Sequence, residues 1–372
     1  MPDNTFTSPA LRAAPLLLFT AIMLRALTFT ELMETFIEDM RSSRRFSLHG
    51  VEAPLLASFY RLPALDYLLS YTTAAFAQLQ LYPADPGSYW QSLVFLTEYA
   101  GVYAVLLLES CRALNRGTFF QFAFSTILLF LPGQFIPIGI LGPIYFFSYY
   151  YYCSLSPPRK LTCPEATAIS PIHAAAVLPA VALGYYLPHF PGYFHDDYVS
   201  RHWWNWIWQL YPIWGSIVFF VSTKVLVAVV AESGIRQASP STGTNSITKA
   251  TLGVVALVNT ATFWYTMRNA EVPVVELFIP AYFASPPAEP HVVMRTIIQY
   301  DYLCSFGATM LWLCLSIRDL KAAGSVRVPW VVILGVTVVV CGVCGLGTAI
   351  LLLWAWREDV LAREVDGSQK DG

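Results

Sequence analysis

Residues 91–109 read QSLVFLTEYAGVYAVLLLE, and this stretch decides the class of fold. As a helix it is about 28 Å long, close to the ~30 Å of a bilayer's hydrocarbon core. One acid, Glu98, interrupts an otherwise apolar interior. Nine further runs share this character: 14–30, 55–80, 118–132, 135–152, 171–189, 206–231, 249–268, 293–317 and 329–356. They predict an all-α, polytopic transmembrane helix bundle of eight to ten spans. The pair 118–132 and 135–152 is read as two short spans broken by Pro132-Gly133, Pro137 and Pro143. Residues 1–356 form one integral membrane unit in this reading, and 357–372 form a polar C-terminal tail.

Composition agrees. Of 372 residues, 56% are hydrophobic and 12% charged, against roughly 25% charged in soluble domains. The mean hydropathy is +0.53. The net charge of -2 provides no basic stripe for nucleic acid. Seven scattered cysteines do not make a disulfide framework. Cys341 and Cys344 form a CxxC, but among Gly342, Gly345 and Gly347 they read as small packing residues. The N-terminus lacks a signal peptide's pattern, so the first apolar run is expected to stay as an anchor. No internal repeat is found.

Lys and Arg in the connections set orientation. With ten spans, the basic loops 31–54, 110–117, 153–170, 232–248 and 318–328 all fall on the cytoplasmic side. Loops 81–90, 190–205 and 269–292 then fall on the luminal side. The tail, with Arg357, Arg363 and Lys370, fits that scheme poorly.

Ionisable groups inside spans are costly and mark candidate sites. Helix rise puts Glu98 about 10 Å, Asp301 about 12 Å and Asn259 about 14 Å from the luminal side. Glu98 neighbours Tyr99 and Tyr103, and Asp301 sits between Tyr300 and Tyr302. A carboxyl group in apolar, aromatic surroundings keeps its proton near neutral pH, as a Brønsted acid acting on an apolar substrate must. The competing reading is a carboxylate hydrogen-bonded to tyrosine for packing alone. Asp66 is expected to pair with Arg61, and Arg25 has no local partner. Segment 274–283 (VVELFIPAYF) is too short to span. It reads as a re-entrant or interfacial cap, with Glu276 as a third candidate acid. Trp204, with Trp203, Trp206 and Trp208, reads either as an interfacial belt or as an aromatic lid facing a carbocation.

No metal site or cofactor is expected. The sequence lacks G-x-G-x-x-G, a Walker motif and G-x-S-x-G. His189, His195 and His202 with Asp196 and Asp197 match no ligand spacing, and no DDxxD appears.

The stretches LPGQFIPIGILGPIYFFSYYYY (131–152), YFHDDYVSRHWWNWIWQLYPIW (193–214) and EVPVVELFIPAYF (271–283) resemble the fungal membrane-bound terpene cyclases of the ascochlorin and ascofuranone pathways. The resemblance implies a terpene cyclase of secondary-metabolite biosynthesis in the endoplasmic-reticulum membrane, acting on an amphiphilic prenylated aromatic (meroterpenoid) substrate. It implies protonation of an epoxide or alkene and redox-neutral, metal-independent cyclisation. Glu98, Asp301 and Glu276 are then the candidate acids. Tyr99, Tyr103, Asn259, Tyr300, Tyr302 and Trp204 are the candidate substrate contacts, and membrane lipid is the surrounding partner. The alternative is a small-molecule membrane transporter, which predicts repeated halves.

Overall fold

The computed structural model describes residues 8–121, 129–155, 167–233 and 242–368. Short helices α1 (Pro9–Ala13), α2 (Leu16–Leu27) and α3 (Thr30–Ser43) lead into a hairpin of β1 (Arg45–Leu48) and β2 (Val51–Pro54). His49 and Gly50 make its turn, both with positive φ, the geometry that joins tightly twisted strands. Then come α4 (Pro63–Gln80), α5 (Pro86–Ser110), α6 (Ile138–Leu155) and α7 (Pro171–Phe194, with a π-helical turn at Ala182–Tyr186). After these are α8 (Tyr198–Trp208), α9 (Tyr211–Ser233), α10 (Thr242–Asn269) and α11 (Val274–Phe278). The last three are α12 (Pro290–Ala322), α13 (Trp330–Cys344) and α14 (Leu346–Ser368).

The centre is α5, the helix of the opening stretch. Pro86 starts it, and the Asp85 side chain accepts from the Ser88 amide, so its first turn is capped by sequence. Every residue from Gly87 to Ser110 is buried. At the periphery, α9 and α13 turn Phe220, Val225, Val331 and Val338 outward, as lipid-facing helices do.

The count of eight to ten spans is not supported. Among the described residues four helices, α5, α7, α9 and α12, are long and apolar enough to cross a membrane. The bent pair of α2 and α3, kinked by 60°, would make a fifth. Particular residues caused the overcount. The run 329–356 is split at Gly345 (φ 90°), which leaves α13 at 15 residues. The run 55–80 is helical only from Pro63, and α4 buries Asp66, Ser70, Thr72, Thr73, Gln78 and Gln80. Its inner face therefore packs on protein. Part of 118–132 lies outside the described residues. The two ends of 118–152 meet, with the Phe120 and Tyr152 ring centroids 5.2 Å apart.

Loop placement differs from the ten-span scheme as well. Loop 31–54 lies at the same end as loops 81–90, 190–205 and 269–292. His49 Nδ1 is 2.7 Å from the Ala84 carbonyl, and Arg41 reaches Ser70. Arg201 donates to the Gln80 carbonyl at 3.0 Å. Arg25 donates to the Ala284 carbonyl at 2.7 Å and lies over the Phe29 ring, which gives this cation its partners. Since α4 is not among the helices long and apolar enough to cross, the arrangement of ends departs from the ten-span alternation. The opposite end gathers Glu109, Arg112, Lys249, Arg357 and Asp359, with Lys249 Nζ 2.5 Å from Asp359. Arg357 and Arg363 on α14 thus share an end with loop 110–117. Arg159, Lys160, Arg236 and Lys370 lie outside the described residues.

Single cysteines at Ser47 and Asp196, in a chain with its own cysteines replaced, will react with an impermeant maleimide from the same side of sealed vesicles. Labelling from opposite sides would restore the ten-span alternation.

Candidate functional site

Helices α5 and α12 cross with two acid–tyrosine pairs in register. Glu98 of α5 accepts the Tyr302 hydroxyl of α12 on Oε2 at 2.8 Å. One residue along each helix, Tyr99 lies within electrostatic reach of Asp301. All four side chains are buried. The two acids have different surroundings. Asp301 Oδ1 takes the backbone amide of Gly139 at 2.5 Å, so it caps the entry to α6 after Pro137. Glu98 also meets the Gly347 backbone amide, while its Oε1, against which a Cβ on Gly345 would stand at 2.0 Å, makes no hydrogen bond of ordinary geometry.

What surrounds Glu98 Oε1 comes from the split helix. Gly345 breaks α13 from α14 with a positive φ, a conformation that favours glycine. The break brings the first turn of α14 onto Glu98. A Cβ at Gly347 would stand 2.6 Å from Glu98 Cβ and 3.0 Å from Asn259 Nδ2. Asn259 of α10 therefore borders the same spot. It accepts the Tyr186 hydroxyl on Oδ1 at 3.3 Å, while its Nδ2 is buried without a partner. Asn259 Nδ2 and the Glu98 stem thus meet at Gly347, and an unpaired buried polar atom such as Asn259 Nδ2 costs about 1–3 kcal/mol. The wall around Tyr302 is aromatic: Phe95 at 5.4 Å, Phe278 at 5.6 Å and Phe306 at 4.8 Å between ring centroids. Phe278 belongs to α11, which Gln299 holds through the carbonyls of Glu276 and Leu277.

The remaining sequence candidates scatter. Glu276 is exposed, and its side chain takes no part in the Glu98 group. Tyr300 donates to the Tyr282 carbonyl at 2.8 Å. Tyr103 packs on Phe130, Tyr185 and Tyr211, deeper along α5. Trp204 is half-buried on α8. Two contributors escaped sequence reading: Tyr186, which lies on the π-helical turn of α7, and the Gly345–Gly347 break. π-Helical turns often mark functional positions, and G-L-G after an apolar run is the one signal the sequence carries for the break.

A separate cavity of about 670 Å³ opens beside α3 and α4, with Arg41, Arg44, Ser58, Arg61, Asp66 and His202 among its lining residues. Asp66 does not pair with Arg61 as expected. It accepts the Ser58 hydroxyl at 2.5 Å and the Tyr60 amide at 2.9 Å. Burial alone would raise its pKa, but these hydrogen bonds prevail and hold it below the usual carboxylate value. Burial pushes the His202 imidazole down to about 4.

The family model described as the CtvD domain matches residues 12–362. The chain belongs to the CtvD-domain family. This membership agrees with the likeness to fungal secondary-metabolite enzymes carried by 131–152, 193–214 and 271–283. The chain is 30% identical over 317 residues to the FAD-dependent monooxygenase verC1 of Penicillium polonicum, covering 84% of this CtvD-domain chain and 37% of verC1. It is 25% identical over 280 residues to the FAD-dependent monooxygenase anuJ of Penicillium roqueforti, covering 75% and 33%. The chain therefore spans about a third of the length of the curated relatives it matches. No solved structure gives a significant match. The residues present do not fit a flavin dinucleotide. Among the described residues the one sheet is the two-stranded β1–β2 hairpin, and a dinucleotide fold needs a parallel sheet with a glycine-rich turn.

Gly347→Ala will lower the melting temperature by crowding Glu98 and Asn259, while Gly253→Ala, in open space, will not; thermal unfolding of both variants checks this. Because the folded Asp66 value is depressed, its stabilisation is present above the ordinary carboxylate range and is lost as pH falls through the folded value. Asp66→Asn will therefore lower the melting temperature at pH 7, and the gap to the parent will narrow on acidification below about 4.

Proposed function

We propose that this CtvD-domain chain is a membrane-embedded acid catalyst that opens an epoxide on an amphiphilic, prenylated substrate and guides its cyclisation. The observation that carries this reading is the pair of unmatched buried groups, Glu98 Oε1 and Asn259 Nδ2. With the proton on Glu98 Oε1, one substrate oxygen could accept from both Glu98 and the Asn259 amide. Glu98, protonated, donates to the epoxide oxygen while the Asn259 amide holds that oxygen in place. The C–O bond breaks, and a substrate double bond or hydroxyl captures the carbon centre. The proton finally lost returns to the Glu98 carboxylate, so the net change is an isomerisation.

The surroundings support each part. Phe95, Phe278, Phe306 and Tyr302 present π-faces that stabilise positive charge. The Tyr302 hydroxyl fixes the carboxyl rotamer and is the next link in proton exchange. Exclusion of water keeps the cation from being quenched to an alcohol. The relatives' names support an oxygenated substrate, because flavin monooxygenases insert one oxygen atom, and epoxides are among their products. Four helices able to cross a membrane support a bilayer location, where such a substrate partitions; we place it in the endoplasmic reticulum. Asp301, with Gly139 on its carboxylate, serves as a positioning group, and Glu276 lies outside the reaction. A transporter reading lacks the repeated halves it predicts.

Microsomes carrying the chain and fed a farnesylated phenol epoxide will form a product of unchanged mass and new retention time. Glu98→Gln will reduce turnover by about 10²–10⁴-fold, the usual worth of a positioned acid, and Asn259→Ala will reduce it less. Glu276→Gln will leave it unchanged. Full activity in Glu98→Gln would overturn the assignment.

A further inference from the structure

We propose that His49, Glu289 and His291 form a binding site for one divalent cation of the zinc class. Each residue offers one ligand atom, and the three atoms lie within 4.8 Å of one another. Two imidazoles and a carboxylate are a donor set that zinc takes in tetrahedral sites, with water in the fourth position. Only a small inward movement of side chains separates this spacing from coordination. Glu289 has a largely exposed side chain, so it is free to make that movement.

The local build favours a metal over simple packing. His49 stands in the hairpin turn at φ 50°, a left-handed conformation that histidine adopts more readily than most side chains. Its Nδ1 meets the Ala84 carbonyl at 2.7 Å. A ring N–H donated to a carbonyl leaves Nε2 with its lone pair, which is how metal-binding histidines are oriented. The two imidazoles meet edge to face with centroids 4.7 Å apart. His291 Nε2 is 3.3 Å from Glu289 Oε2, and its backbone carbonyl accepts Gln78 Nε2 at 3.1 Å. Asp85, which holds Arg295 at 3.2 Å, lies within electrostatic reach of His291. Three segments distant in sequence thus converge: the hairpin turn, the link between α4 and α5, and the start of α12. A bound ion would clasp them at the end of the molecule where α5 and α12 begin. The site is separate from Glu98 and stands whether or not the proposed reaction is right.

The full chain, purified in detergent and stripped with chelator, is incubated with zinc sulfate and passed over gel filtration. The parent will retain one equivalent of zinc and melt at a higher temperature than the stripped protein, and chelator will reverse the rise. His49→Asn and His291→Gln will each weaken binding by at least about tenfold. Asn tolerates the left-handed backbone, so the stripped His49→Asn protein will melt with the stripped parent. That variant decides the matter alone if the more buried His291→Gln fails to fold. A parent that retains no zinc, or a His49→Asn protein with parental affinity, would overturn the site.

Discussion

A buried carboxylate organises one end of this molecule. Glu109, the last acid of the central helix, is fully enclosed. It accepts Arg112 Nε at 2.8 Å, Tyr149 at 2.9 Å, Trp354 Nε1 at 2.7 Å and Arg357 Nη1 at 2.5 Å. Arg112 also holds Glu358 and the Thr167 carbonyl. The knot thereby joins α5, α6, the lead into α7, and α14. A charge in such a place is tolerated only with its partners in position, and removing one partner of a buried pair costs about 3–5 kcal/mol. Each of those elements is therefore held in a fixed register along α5.

That register reaches the candidate site. With α14 pinned to Glu109 through Trp354 and Arg357, its first turn is placed against Glu98, about three helical turns back along α5. The break at Gly345 lets the chain reach that position from α13. Glu98 and Glu109 are thus two buried acids on one helix with opposite treatment. Glu109 is saturated with cations and donors, whereas Glu98 keeps one oxygen unmatched. Saturation serves stability, and the unmatched oxygen is the feature on which the proposed function rests.

The sequence carried the helical character, the apolar runs and the isolated position of Glu98, because composition and period report burial directly. Helix rise put Glu98, Asp301 and Asn259 at similar depth, but depth alone does not show which helices are neighbours, and Tyr302 was legible only as a flank of Asp301. Span number was not legible, because an apolar run does not reveal a 60° bend at Thr28 or a left-handed glycine at Gly345. Nor does it reveal that α4 buries its polar face against protein. Glu109 was overlooked as the end of a span, although Arg112 three residues on shares its face. The pairing of His49 with His291 depends on tertiary contact between distant segments, which no spacing rule detects.

The measurement that tests the account most directly is a structure of the chain with an unreactive epoxide analogue bound. The account predicts an analogue oxygen within ordinary hydrogen-bond distance of both Glu98 Oε1 and Asn259 Nδ2, with the hydrocarbon chain against Phe95, Phe278 and Phe306. An analogue bound elsewhere, with Glu98 Oε1 still unmatched, would contradict it.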